Sequence, residues 1–423
     1  MEKPPTYSKR LIHNSLFSLS ATIGTSIIAF FLVPFLVRHL GKEGYGLWVL
    51  VGSVFACAMT LQLGLSSAIN RHIPVYLVKQ DRHGIDRVIS SSVFFFGLVG
   101  LVLMLVAIVV SLNLETWFTI PSSLVGTGKL LVLIVGGLFA LSMLVRPFGA
   151  VISGFQRYDI LGLGTLIPYA LRAALVVWAL LAGHGLIVVG LIFGLSELVT
   201  YSVFWFFSRR LPGSLSVSAS RVDFVLLGKM LAYGTSTFLY LTTTVIVYKG
   251  SDIILGVFLT ASDVARFALA AAPVLMATEL IGASLAALKP AVSDLDARDD
   301  DERVRKISFL GQKYSLLVLL PATAFLVLLG REFLVLWVGS DFADVGPILA
   351  VLAMGRFFMA AQHSNFLVLV GKGEHAVFGI MAVTMAASVM ALGVIFVGVL
   401  NWGIMGMAVA NAAPMVLNYG IIM

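Results

Sequence analysis

Charged residues are scarce in this sequence: they make up 12% of its 423 residues, against 59% for hydrophobic residues. Soluble proteins carry about 25% charged residues. The composition therefore argues against an ordinary soluble domain and favours a chain built for lipid. Cys57 is the only cysteine, and it lies inside an apolar run. An intramolecular disulfide is excluded, and a cysteine-based metal cluster is excluded with it.

Motifs of several enzyme classes are also missing. The sequence contains no GxxxxGK[ST] phosphate loop, no GxSxG nucleophile motif and no run of metal ligands. The acidic run at residues 294–302 lacks the ligand spacing of a Ca²⁺ loop. All predicted loops are short, so none has the size of an external catalytic domain. We therefore expect neither an enzyme nor a cofactor.

The abundant feature is the apolar run of membrane length. A helix needs about 20 apolar residues to span a bilayer, and these runs lack the alternation of barrel strands. The sequence predicts an all-α polytopic membrane protein with twelve transmembrane helices. The predicted spans are residues 12–37, 45–68, 88–111, 129–152, 161–181, 187–207, 226–256, 264–288, 307–330, 346–370, 377–399 and 403–423.

Positive charge is distributed unevenly over the loops of this topology. With the N-terminus inside, the cytoplasmic segments carry nineteen Lys and Arg residues and the opposite face carries four, Arg38, Lys42, Lys129 and Arg331. This asymmetry predicts a cytoplasmic N-terminus. The formal net charge of +7 is then a topology signal, so we expect membrane lipids and no nucleic acid among the partners.

The pattern of the first six spans recurs in the last six. The hairpin segment at residues 33–48 returns at residues 252–267. Further equivalent pairs are Trp117 with Trp337, Gly154 with Gly371, and Gly185 with Gly403. Because six is an even number, both copies enter the membrane in the same direction, which makes a parallel repeat about an axis along the membrane normal.

The repeat defines the predicted domains. We expect an N-terminal six-helix bundle at residues 1–210, a cytoplasmic linker at 211–225 and a C-terminal six-helix bundle at 226–423. Two bundles related in this way would enclose a central cavity for a substrate. No charged residue follows the last span, which leaves a continuation beyond Met423 open.

Basic residues inside the spans need an explanation, because a charge at mid-membrane costs about 2.5–3.5 kcal/mol on insertion scales. Arginine binds phosphate through two parallel hydrogen bonds. We therefore predict that the central cavity holds an anionic headgroup. Two alternatives stay open: a side chain that reaches the interface from near a span end, and a lysine that pairs with a nearby acid. The predicted cationic ligands are Arg146, Arg172, Lys249, Arg266 and Arg356.

Acidic and polar residues complete the predicted cavity. Glu197, Asp252 and Glu279 fall within spans, where each is a neutral hydrogen-bonded carboxyl, a partner of a basic residue, or a carrier of the coupling proton or ion. Spans one and seven carry polar stripes, which either line the cavity or hold helices together. The stripe residues assigned to the substrate are Asn14, Thr25, Tyr240 and Thr244.

Three segments resemble a known family. They read VPFLVRHLGKEGYGLW at residues 33–48, LGLSSAINR at 63–71 and GFQRYD at 154–159. The sequence resembles the Wzx-type polysaccharide (O-antigen) flippases of the multidrug/oligosaccharidyl-lipid/polysaccharide (MOP) exporter superfamily, over essentially the whole chain. The motifs lie at hairpins and helix ends, so they identify the family and not the sugar.

The resemblance carries expectations about fold and function. It implies a MOP/MATE-like fold that moves an undecaprenyl-diphosphate-linked oligosaccharide, such as an O-antigen repeat unit, from the cytoplasmic to the periplasmic leaflet of a bacterial inner membrane. It implies alternating access without ATP hydrolysis, driven by an ion gradient or the membrane potential. A polysaccharide polymerase and a chain-length regulator are the implied protein partners.

Three alternatives are weighed against this function. A lipid II flippase would share the cationic cavity. A multidrug or cation antiporter of the same superfamily would need an acidic cavity, which the basic residues disfavour. A membrane-embedded glycosyltransferase would need a large external loop or an acidic catalytic pair, and neither is visible in the sequence.

Overall fold

Helices make up nearly all of the chain that the computed structural model describes, which is residues 7–211, 216–285, 292, 295, 300–362, 364–365, 367–368 and 376–420. In this part of the chain the β-structure is limited to an isolated bridge between Thr119 and Thr260. The prediction of an all-α fold is confirmed.

Eight helices precede the predicted linker. They are α1 (Tyr7–Ala58), α2 (Leu65–Val78), α3 (Arg82–Leu112), α4 (Leu114–Trp117), α5 (Ser122–Met143), α6 (Pro147–Gly154), α7 (Tyr158–Leu181) and α8 (Leu186–Ser208). Seven helices follow it among the described residues. They are α9 (Phe224–Val245), α10 (Ser251–Phe258), α11 (Ala261–Leu285), α12 (Asp301–Val338), α13 (Gly346–Ala361), α14 (Ala376–Gly393) and α15 (Gly403–Gly420).

Nine helical segments of the described residues are long and apolar enough to cross a membrane. The first, Ser20–Val78, contains predicted span two and residues 20–37 of span one, and eight others match spans three to six and eight to eleven. Spans seven and twelve correspond to α9 with α10 and to α15. The chain is therefore a multi-pass membrane protein.

Large apolar side chains cover the outside of several helices. Leu101 on α3, Leu328 on α12 and Leu336 on α12 are 69%, 77% and 83% exposed. A soluble protein rarely exposes contiguous apolar patches of this kind, whereas lipid solvates them. The pattern agrees with the membrane assignment.

Two predicted spans contain breaks that the sequence analysis missed. The interruption of α1 at Gly41, whose φ of 71° and ψ of 172° are not helical, lies instead between predicted spans one and two, in the hairpin segment. Predicted span two does not end at residue 68: a 3₁₀ turn at Met59–Gln62 follows α1, Leu63 and Gly64 take left-handed conformations, and α2 continues to Val78. Span four splits in the same way into α5 and α6, with Arg146 immediately before the first residue of α6.

Two further spans differ from prediction in length or shape. Span seven is divided by a π-helical turn at Ile246–Gly250. Span nine was predicted at 307–330, but α12 has 38 residues. At 1.5 Å per residue it is about 57 Å long, so it extends well beyond a bilayer core of about 30 Å.

The contacts divide the chain into two compact units. Unit 1 consists of Met1–Leu32, Ala58–Thr116 and Ser122–Leu241. Unit 2 consists of Val33–Cys57, Trp117–Pro121 and Thr242–Met423. Two short segments of the N-terminal half thus belong to unit 2 by their contacts. The predicted domain boundaries at 210 and 226 stay a prediction.

In unit 1, a glycine allows two helices to pack closely, and the linker forms ion pairs with α3. A Cβ added at Gly100 of α3 would lie 2.7 Å from the carbonyl oxygen of Ala140 on α5, so the two helices approach at this glycine. The linker lies against the start of α3, where Arg221 pairs with Asp86 and Arg87 pairs with Asp223 at 3.3 Å.

Unit 2 has close backbone contacts of its own. A Cβ at Gly46, in the second part of α1, would lie 1.7 Å from the carbonyl oxygen of Ala261 at the start of α11. A Cβ at Gly355 of α13 would lie 2.6 Å from the Cα of Ala412 on α15. Only glycine permits these two approaches, because any side chain would overlap the backbone of the neighbouring helix.

Candidate functional site

Arg146 lies in unit 1 where two broken spans meet. α2 and α6 pack against each other, which brings the end of the 3₁₀ turn at Gln62 next to the start of α6. The Nε atom of Arg146 donates a hydrogen bond of 3.3 Å to Oε1 of Gln62. Its guanidinium carbon lies 4.7 Å from the centre of the Tyr201 ring on α8. The Nη1 atom is buried and has no hydrogen-bond partner among the described residues.

Arg172 occupies the middle of α7, also in unit 1. Its guanidinium carbon lies 4.1 Å from the ring centre of Tyr169 and 4.4 Å from that of Phe193 on α8. Tyr169 is one turn earlier on the same helix, so the two side chains share a face. The Nε atom of Arg172 is buried and has no hydrogen-bond partner in the described part of the chain. Two aromatic rings therefore hold this cation.

Arg356 is a basic residue of unit 2, on α13. Its Nε atom donates a hydrogen bond of 3.3 Å to Oγ1 of Thr278 on α11. Its guanidinium carbon lies 4.4 Å from the ring centre of Tyr248, which belongs to the π-helical turn. Arg356 and Thr278 line a small cavity of about 20 Å³. A cavity of this size holds one water molecule.

The same kind of contact stabilises the three arginines in an apolar environment. Each lies over a tyrosine ring, and a desolvated cation–π contact is worth about 2 kcal/mol or more. An aromatic ring stabilises the cation without cancelling its charge. Within the described residues, no carboxylate lies within 4 Å of Arg146 or Arg172. No acid there offsets the charge of either guanidinium, and each has donors that a phosphate oxygen can accept.

Lys249 and Asp252 form a different arrangement in unit 2. The Lys249 Nζ atom lies 3.4 Å from Oδ2 of Asp252, which is the pairing that the sequence left open. Ser53, in the second part of α1, donates a hydrogen bond of 2.7 Å to the same oxygen. Nearby, Asn411 on α15 donates to the hydroxyl of Ser251 at 3.0 Å. Asp252 is buried, and this network satisfies it.

Arg266 is held by acids, unlike Arg146 and Arg172. It lies in the second turn of α11, 3.5 Å from Asp344 and 3.9 Å from Asp263. Asp344 belongs to the 3₁₀ turn that precedes α13. Two carboxylates offset the charge of Arg266 at the end of a helix, so we omit it from the proposed binding set.

The remaining predicted residues are spread over both units. Glu197 is half-buried on α8, one turn before Tyr201, and the described residues include no hydrogen bond or ion pair to it. Glu279 follows Thr278 on α11 and is exposed. Thr25 donates to the carbonyl oxygens of Ala21 and Thr22, 2.9 and 3.0 Å away on its own helix. The side chains of Asn14, Tyr240 and Thr244 lie outside the described residues.

The site also contains residues that sequence reasoning did not assign. Gln62, Tyr201 and Phe193 contact the arginines from other helices, and nothing in their local sequence indicates this. The contact of Tyr169 with Arg172 could have been predicted, because Tyr169 stands three positions before Arg172 within one apolar helix. As for metals, the described residues contain no group of three or more His, Cys, Asp and Glu side chains that could hold an ion.

Comparison with solved structures identifies the fold. The chain is similar to a multidrug resistance MATE family transporter of the MOP superfamily in its inward-facing conformation, with a TM-score of 0.71 and 16% identity over 96% of this chain and 92% of that chain. The predicted MOP/MATE-like fold of an all-α polytopic membrane protein is confirmed.

Comparison with protein families then places the chain. The model of the family described as "Polysaccharide biosynthesis protein" matches residues 11–296, which is more than half of the sequence. The chain belongs to this family. The resemblance to Wzx-type members of the MOP superfamily is thereby confirmed.

Two curated relatives match almost the whole chain. One is named "Uncharacterized membrane protein EpsK" in Bacillus subtilis (strain 168) and is 22% identical over 96% of this chain and 80% of its own length. The other is named "Putative O-antigen transporter" in Shigella flexneri and is 23% identical over 96% of both chains. This chain is similar to both.

Proposed function

We propose that the protein is a flippase that moves an undecaprenyl-diphosphate-linked oligosaccharide from the cytoplasmic to the periplasmic leaflet of a bacterial inner membrane. It works by alternating access, with its N-terminus in the cytoplasm, and as a transporter rather than an enzyme. The family membership, the transporter fold and the name of the Shigella flexneri relative support this proposal.

The main support for the proposal is that Arg146 and Arg172 have buried nitrogens without hydrogen-bond partners among the described residues. Arg172 lies within α7 and Arg146 at the break between α5 and α6, and both lie over tyrosine rings. An unsatisfied buried donor costs about 1–3 kcal/mol, and more when it is charged. A diphosphate group offers several anionic oxygens, and binding them would recover this cost.

The direction of transport follows from the charge of the substrate. Moving one negative charge outward across an inside-negative membrane releases about 2.3 kcal/mol per 100 mV. A diphosphate linkage could therefore be driven by the membrane potential. A counterflow of protons or cations through Glu197 or Glu279 would add to this drive, whereas Asp252 is tied to Lys249 and Ser53.

The antiporter alternative fits these residues less well. An organic cation needs an uncompensated acid in its binding site, but the buried Asp252 already has a cation and a hydroxyl donor. In unit 1, Arg146 and Arg172 have no carboxylate within 4 Å among the described residues, and their positive charge disfavours a cation. A lipid II flippase would use the same arginines, so we distinguish it by the experiment below.

The test replaces Arg172 with Ala in the bacterium from which the chain derives and measures surface glycan by immunoblot. We expect surface glycan to fall by about tenfold or more, because truncating a buried charge that binds an anion costs about 2–5 kcal/mol. Arg157→Ala is the matched control, since Arg157 is an exposed residue immediately before α7 that pairs with Asp159 at 2.8 Å. It should support normal export at equal membrane expression.

Two results would contradict the proposal. Normal surface glycan in both Arg146→Ala and Arg172→Ala cells would remove the headgroup role of unit 1. Complementation of a strain depleted of its lipid II flippase, without any effect on surface glycan, would instead assign the chain to peptidoglycan synthesis.

A further inference from the structure

The acceptor that holds Arg146 is neutral. Gln62 accepts the Nε–H of Arg146 at 3.3 Å, at the same distance range in which a glutamate would form an ion pair. Gln62 is the last residue of the 3₁₀ turn at Met59–Gln62, and Leu63 and Gly64 follow it with φ of 50° and 67°. The helix break therefore fixes where this amide points.

The other neighbours of Arg146 leave its charge uncompensated as well. Tyr201 contributes a ring to the guanidinium. Glu197 is one turn earlier on α8, yet it forms no ion pair with Arg146 within the described residues. Nη1 is buried and has no hydrogen-bond partner in the same part of the chain. The amide positions one edge of the guanidinium while another edge stays available.

We propose that Gln62 is a positioning and selectivity residue that orients Arg146 for an anionic headgroup by a neutral hydrogen bond. This inference rests on the proposed function and goes beyond it, because it assigns selectivity to the residue that holds the arginine. A carboxylate at position 62 would orient Arg146 equally well, but it would offset the charge that attracts the phosphate. The choice of amide over carboxylate therefore sets the preference for anions.

According to the proposal, Gln62→Glu should change the melting temperature and the affinity for an anion independently. An ion pair between a carboxylate and Arg146 is stronger than the amide hydrogen bond, so Gln62→Glu should keep or raise the melting temperature. The same variant should weaken binding of an anion. A residue that only braces the helix break would lose stability and binding together.

The experiment measures binding of farnesyl diphosphate to the full chain in lipid nanodiscs, together with the melting temperature. We expect Gln62→Glu to weaken binding by about tenfold or more, as for loss of a charge-assisted contact, without a lower melting temperature. Gln80→Glu adds the same charge at an exposed turn after α2 and should bind like the parent. In an Arg146→Ala background, Gln62→Ala should cause no further loss, because Gln62 acts through Arg146.

The outcomes separate this proposal from the proposed function. If Arg146→Ala weakens binding while Gln62→Glu does not, the role of Gln62 is wrong and the headgroup role of Arg146 stands. A parallel loss of melting temperature and affinity in Gln62→Glu would also overturn it. If Arg146→Ala binds farnesyl diphosphate normally, both the headgroup role of Arg146 and the role of Gln62 fail.

Discussion

Ser53 donates a hydrogen bond of 2.7 Å to Asp252, although 199 positions separate them in the sequence. Both residues are buried, and Lys249 lies 3.4 Å from the same carboxylate oxygen. A buried carboxylate is tolerated where donors and a cation satisfy it. The pair therefore joins the second part of α1 to α10 inside unit 2.

Replacing Ser53 with Ala should destabilise the protein by about 1–3 kcal/mol, because one oxygen of Asp252 loses its hydroxyl donor. The measurement is thermal unfolding in detergent. Ser92→Ala is the control: Ser92 is equally buried but donates to the Val88 carbonyl of its own helix. Equal decreases in melting temperature in the two variants would show that the hydrogen bond to Asp252 contributes no more stability than the one within α3.

Gly46→Ala should prevent stable assembly of unit 2. The added methyl group would overlap the Ala261 carbonyl, 1.7 Å away, so α1 and α11 would have to separate. Gly52→Ala lies on the same helix and meets nothing within 4 Å, so it should fold normally. Size-exclusion profiles and membrane expression would check this, and a monodisperse Gly46→Ala protein with unchanged melting temperature would contradict it.

Arg266→Ala should leave glycan export close to normal, in contrast to Arg172→Ala. Arg266 pairs with Asp344 and Asp263, and partly exposed pairs of this kind contribute up to about 1 kcal/mol. Exchanging the charges, as Arg266→Asp with Asp344→Arg, should recover part of the melting temperature that Arg266→Asp alone loses. Loss of export in Arg266→Ala at normal stability would return this residue to the binding set.

Tyr169→Phe should retain export, whereas Tyr169→Leu should reduce it. Phenylalanine keeps the ring beneath Arg172, while leucine removes a cation–π contact worth about 0.5–2 kcal/mol. Surface glycan at equal expression is the readout. The comparison isolates the ring because the phenol hydroxyl is the only group that differs between tyrosine and phenylalanine. Equal export by both variants would mean that Phe193 alone holds the guanidinium.

The sequence predicted the features that depend on hydropathy and local spacing. Apolar length located the membrane helices, and arginines inside them marked Arg146, Arg172 and Arg356 as residues that need stabilising partners. The spacing of Lys249 and Asp252 predicted their ion pair as one alternative. These signals lie within a single helix, so no tertiary structure was needed to see them.

Features that depend on contacts between helices could not be predicted. The stacking of Arg146 on Tyr201 joins residues 55 positions apart, and Arg266 meets Asp344 only because the 3₁₀ turn before α13 reaches the start of α11. The break after α1 interrupts an apolar run with no proline or charged residue at residues 59–64, whereas the break after α5 falls at Arg146 and Pro147. Hydropathy alone cannot distinguish such a break from a continuous helix.

The membership of Val33–Cys57 in unit 2 has a consequence for biosynthesis. At about 5–20 residues per second, a ribosome that has made Ser53 reaches Asp252 roughly 10–40 s later. During that interval the segment resides in the bilayer without the helices that will bury Ser53, Leu47 and Phe55. A nascent chain arrested in the 211–225 region would thus display an uncovered helix, which makes it a substrate for membrane chaperones and quality-control proteases.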